Sequence, residues 1–151
     1  MLKFNASWRF ESGRRMPPAC SNRGAGENVI VGTPGADVIE GTSGRDVICG
    51  LGGNDIINGR GGNDLVAGNG GNDAINGGDG KDNLSGNRGG DRVSGSGGND
   101  VVKGNGGNDT LGGDGGNDTV TGGRGSDDLD GGTGTDQCSG GAGTDTVRRC
   151  E

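Results

Sequence analysis

The chain has 151 residues, 41 of them Gly and only 25% hydrophobic, with one Trp, two Phe, no Tyr and no His, so an ordinary globular core is excluded. Three Pro exclude collagen, which needs Gly at every third position and abundant Pro. A net charge of −7 argues against nucleic acid as a partner, and no apolar run approaches the ~18 residues of a membrane span.

The chain opens on a lead-in, residues 1–28, expected to be flexible or loosely docked. It carries Phe4, Trp8 and Phe10 among Lys3, Arg9, Arg14 and Arg15. Met1 to Arg15 lack the apolar stretch of a secretory signal, so either the signal is missing from this sequence or export uses another route. Asn5-Ala6-Ser7 matches a glycosylation sequon and is read as chance.

Residues 29–148 form a repeat array. Gly32-Thr33-Pro34-Gly35-Ala36-Asp37-Val38-Ile39-Glu40 is the first nine-residue unit, and the register continues without insertion to Gly140–Arg148, giving thirteen units. Positions 1 and 4 are Gly in every unit. Position 6 is always Asp: Asp37, Asp46, Asp55, Asp64, Asp73, Asp82, Asp91, Asp100, Asp109, Asp118, Asp127, Asp136 and Asp145. Position 8 is Ile, Leu or Val, except Cys138 in unit 12. Asn is frequent at position 5, as at Asn54, Asn63 and Asn72. Residues 149–151 are a short tail carrying Cys150.

Two Gly three residues apart, followed by Asp, specify a tight turn with freedom for positive φ. The three residues after Asp, with an aliphatic side chain in the middle, specify a short strand that points that side chain inward. One unit reverses the chain once, so two units close an 18-residue coil. Coils stack about 4.8 Å apart, and the inward side chains of two facing walls meet in a thin core. The predicted fold is all-β: a right-handed parallel β-roll (β-solenoid) of thirteen nonapeptide repeats, about 6.5 coils long.

Two buried aliphatic side chains per coil are too few to offset the ordering of 18 Gly-rich residues. Each wall also stacks aspartates, which repel. A cation midway between turns lies about 2.4 Å from each, which is a Ca²⁺–oxygen distance. Carboxylates and backbone carbonyls are hard ligands, suited to Ca²⁺ and not to zinc or copper. Folding and metal binding are then expected to be one event.

Units such as Gly113-Asp114-Gly115-Gly116-Asn117-Asp118-Thr119-Val120-Thr121 resemble GGxGxDxUx, the repeat of the RTX, or haemolysin-type, calcium-binding family. The resemblance implies Ca²⁺ between successive turns of one wall, held by the thirteen position-6 aspartates together with carbonyls of the Gly-rich turns. Up to about eleven ions fit between the turns of thirteen units, with affinity in the weak range of extracellular modules, roughly 10⁻⁴–10⁻³ M. Position 2 departs from the pattern at Thr33, Leu51, Arg60, Asn69 and Asn87, and position 3 at Arg88 and Arg124. These are expected to weaken individual sites.

Four Cys allow three pairings. Cys138 takes a core position in unit 12 and Cys150 lies just past the last unit. A Cys138–Cys150 bridge would staple the C-terminal end, and Cys20–Cys49 would tie the lead-in to unit 2. Free thiols are the alternative. Paired Cys in the C-terminal unit also resemble secreted RTX-like proteins of actinobacteria.

Val38, Val47, Ile56 and Leu65 at position 7 are expected to form an outward apolar patch over the first four units. Either the lead-in with Trp8 and Phe10 covers it, or it binds a partner. No catalytic residue is expected: without His there is no Ser-His-Asp triad, no Cys-His pair and no H-E-x-x-H, and no G-x-S-x-G occurs. The expected function is extracellular calcium binding that drives folding, in a structural, surface or adhesion role, with a protein or surface partner unspecified. The alternatives are a calcium-triggered folding and secretion module related to RTX enzymes or toxins and, behind it, ice binding.

Overall fold

The computed structural model describes residue 20 and residues 27–151. Fourteen strands wind as a parallel β-solenoid with two seven-stranded walls. One wall holds β1 (Asn28–Val31), β3 (Asp46–Cys49), β5 (Leu65–Gly70), β7 (Asn83–Arg88), β9 (Val101–Gly106), β11 (Thr119–Arg124) and β13 (Gln137–Ala142). The other holds β2 (Val38–Glu40), β4 (Ile56–Asn58), β6 (Ala74–Asp79), β8 (Arg92–Gly97), β10 (Thr110–Gly115), β12 (Asp128–Thr133) and β14 (Thr146–Arg148). All pairings are parallel and join residues one coil apart, as in Val66↔Leu84 and Leu84↔Val102. The architecture is that of a right-handed β-roll.

The repeat count differs from the thirteen read in the sequence. β1 precedes unit 1 and pairs with β3 through Asn28↔Asp46 and Ile30↔Ile48, so the roll has seven full coils. Residues 23–31 keep the nine-residue phase, but Arg23 stands at position 1 and Asn28 at position 6, which hid the unit. Asn28 takes the Asp position: its side-chain Nδ2 donates to Asp46 Oδ1 at 2.6 Å, where the Asp residues of later units donate their backbone N–H.

The core is the position-8 ladder. Ile39, Ile48, Ile57, Val66, Ile75, Leu84, Val93, Val102, Leu111, Val120 and Leu129 form one buried cluster, with Ile30 and Cys138 packed against its ends. Val147, in the last unit, is 45% exposed because no further coil covers it. From β5 to β13 the strands run six residues instead of the three expected, continuing through positions 1–3 of the following unit. This is possible because position 2 is left-handed there yet stays in register, as at Asn69↔Asn87.

Both ends are tied by disulfides in the pairing read from the sequence, Cys20–Cys49 and Cys138–Cys150. The position-7 patch, however, is split in two, because consecutive units lie on opposite walls. Val47 is buried and pairs with half-buried Leu65 on one wall, whereas Val38 and Ile56 on the other wall are 59% and 57% exposed. Trp8 and Phe10, the expected cover, lie outside the described residues. Among the described residues no helix is long and apolar enough to cross a membrane.

Candidate metal centres along the turns

Each turn delivers its Asp inward from the end of the Gly-rich segment. Asp46 and Asp55 through Asp136 are buried, whereas Asp37 and Asp145, nearer the ends, are half-buried. The two carboxylate oxygens have separate tasks. Oδ1 accepts the backbone N–H of the Asp one coil earlier, as in Asp73 N–H to Asp91 Oδ1 at 2.9 Å and Asp82 N–H to Asp100 Oδ1 at 2.8 Å. This ladder runs unbroken from Asp37 N–H to Asp145 Oδ1.

Oδ2 is the open valence. In Asp55, Asp64, Asp73, Asp82, Asp91, Asp100, Asp109, Asp118 and Asp127 it is buried and has no hydrogen-bond partner. Nine anionic oxygens in that state cost too much to remain unpaired. The space before them is the reason position 1 is Gly. A Cβ on Gly95 would lie 2.5 Å from Asp100 Oδ2 and 2.8 Å from the Gly113 carbonyl oxygen, and one on Gly113 2.5 Å from both Asp118 Oδ2 and the Gly131 carbonyl oxygen. A carboxylate oxygen and a carbonyl oxygen from the next turn of the same wall therefore converge on a space that a methyl group would fill. Among the described residues no three acidic, His or Cys side chains gather to hold a metal, and the oxygens that meet in this space are one carboxylate oxygen and one main-chain carbonyl oxygen. Hard oxygens of this kind fit Ca²⁺.

The electrostatics agree. Burial pushes Asp55, Asp64, Asp91 and Asp100 up to about 6; the N–H bond to Oδ1 pulls the other way, and the carboxylates above and below raise them further. Asp73, Asp82, Asp109 and Asp118 are raised, again chiefly by burial. The carboxylates are held in a setting that disfavours bare charge and favours a cation partner.

Two devices in the turns went unread in the sequence. Position 5 Asn makes its own ladder: Asn54 Oδ1 accepts Asn72 N–H and Asn72 Oδ1 accepts Gly90 N–H, both at 2.8 Å. Position 2 is left-handed from Leu51 (φ 83°) and Arg60 (φ 77°) onward, where Asn, Asp and Gly predominate. Their tolerance of positive φ was the available signal. Arg88 and Arg124 at position 3 are exposed, unlike the buried carboxylates of the same turns.

The fold and the row of open carboxylate oxygens define a calcium-binding β-solenoid. Models of the RTX calcium-binding nonapeptide repeat match residues 23–57, 50–84, 58–93, 76–111, 85–120 and 112–147. The chain belongs to that family, and the first match begins at Arg23, in the unit that β1 reveals. No curated protein matches the chain.

Proposed function

We propose that this chain works outside the cell as a structural element that calcium folds, with the position-6 aspartates as the anionic ligands. The observation that carries this is the file of nine buried, unpartnered Oδ2 atoms along the two turn edges. Without cations these charges oppose the roll; with Ca²⁺ between turns, each ion shares a carboxylate and links successive coils. Interior sites carry roughly one carboxylate each, which favours weak, millimolar-range affinity and hence an extracellular setting. Two disulfides support the same compartment. The role is structural, as a surface or matrix component, and the chain acts by binding, not catalysis. Its position-6 carboxylates from Asp55 to Asp145 each accept a backbone N–H of the turn ladder, and it has no His.

Trypsin digestion tests the folding claim, since 14 Lys and Arg are spread along the chain. At millimolar Ca²⁺ residues 29–148 are expected to resist cleavage and in EDTA to be cut throughout. Equal cleavage in both would refute calcium-driven folding.

A further inference from the structure

Units 1 and 2 do not share the open carboxylate of the units that follow. Their turns read Gly32-Thr33-Pro34-Gly35-Ala36-Asp37 and Gly41-Thr42-Ser43-Gly44-Arg45-Asp46. The N–H groups of Thr33 and Thr42 donate to Oδ2 of Asp37 and Asp46, each at 2.6 Å. The Thr hydroxyls donate to the same oxygens at 3.0 and 3.1 Å, and they accept the N–H of Gly35 and Gly44 at 3.2 Å. The oxygen that is bare from Asp55 to Asp127 is therefore twice satisfied in Asp37 and Asp46.

The backbone differs in step. Position 2 has positive φ, between 72° and 116°, in every unit from Leu51 to Gly141, but not at Thr33 or Thr42. A β-branched residue resists the left-handed region. Thr thus holds position 2 in the conformation that aims its N–H at the carboxylate. A cation approaching that Oδ2 would face two donor hydrogens, each at the positive end of its bond dipole. The Gly32 and Gly41 cradles are otherwise the same, with the Gly50 and Gly59 carbonyl oxygens 2.6 and 2.4 Å from an added Cβ. The difference therefore lies in the threonines.

We propose that Asp37 and Asp46 hold no calcium, because hydrogen bonds from Thr33 and Thr42 take the ion's place and close the first two turns as a metal-free cap. The inference rests on the calcium reading of units 3 onward. It lowers the number of sites from the eleven expected of thirteen equivalent units to at most nine, one per open Oδ2. The cap sits where the Cys20–Cys49 bridge ties unit 2, so the N-terminal end is held by bonds that calcium removal does not break.

Native mass spectrometry of the full chain at saturating Ca²⁺ tests this by counting ions per molecule. The double variant Asp37→Asn, Asp46→Asn is expected to keep the wild-type count, whereas Asp91→Asn, Asp100→Asn lowers it. Thr33→Gly, Thr42→Gly, which frees position 2 to turn left-handed, is expected to raise the count by up to two. A loss of ions in the Asp37, Asp46 variant overturns the proposal, as does an unchanged count in the Thr33, Thr42 variant should the first variant fail to fold. A wild-type chain that binds no Ca²⁺ is a different result: it refutes the calcium reading itself and the cap inference with it.

Discussion

At the scale of the residue, Gly and Asn carry the turns for different reasons. Gly98 has φ 132°, and a Cβ there would lie 1.5 Å from the Gly80 carbonyl oxygen. Gly98→Ala is therefore expected to destabilise the calcium-loaded roll by roughly 3 kcal/mol or more, read as a fall in the midpoint of chemical unfolding. Gly95 is constrained by the cradle instead, so Gly95→Ala is expected to raise the calcium concentration needed for folding, measured by titration. Asn72 both receives and gives a ladder hydrogen bond. Its loss exposes groups that water can satisfy, so Asn72→Ala should cost only about 0.5–1.5 kcal/mol. The invariant Gly and Asp positions were legible because, Gly35 and Gly44 aside, a Cβ at those Gly collides, and another side chain in place of Asp leaves the ladder open. The position-5 ladder was not, since an exposed Asn in a turn has many other uses.

At the scale of the element, the period of nine specified strand, turn and register, and the parallel pairing one coil apart followed from it. Strand length did not follow. Whether positions 1–3 continue a strand depends on a left-handed residue staying in register with its neighbours, which no single unit reveals. The extra strand β1 was missed because Arg23 and Asn28 stand where the repeat has Gly and Asp, and Asn28 bonds to Asp46 through its side-chain amide and supplies no carboxylate. The position-7 residues were read as one patch, although alternating walls divide them. The C-terminal element is finished by its tail. Glu151 N–H donates to the Asp136 carbonyl at 2.9 Å, the Arg149 side chain pairs with Asp130, and Cys150 bridges to Cys138. Cys150→Ser opens this closure and is expected to cost about 3 kcal/mol, the entropy of a loop of 12 residues. Hydrogen exchange should show the loss concentrated in β13 and β14.

At the scale of the whole molecule, stability is tied to what neutralises the carboxylates. In the folded, metal-free roll Asp55, Asp64, Asp91 and Asp100 titrate at about 6. An unfolded Asp titrates near 3.9. Between those values the folded chain binds more protons than the unfolded one, so stability in EDTA falls as pH rises from about 4 through 6 and stays low above. The metal-free chain is accordingly expected to show more β-structure at pH 4.5 than at pH 7.5. Calcium uptake should release protons and weaken below pH 6, checked by titration at several pH values.

Far-UV circular dichroism during a Ca²⁺ titration at neutral pH, with Mg²⁺ as control and EDTA to reverse it, tests the central claim most directly. A cooperative and reversible gain of β-structure with Ca²⁺ alone is the predicted result. A chain already fully folded in EDTA, or one that stays coil at ~10 mM Ca²⁺, above the weak-module range, would contradict it.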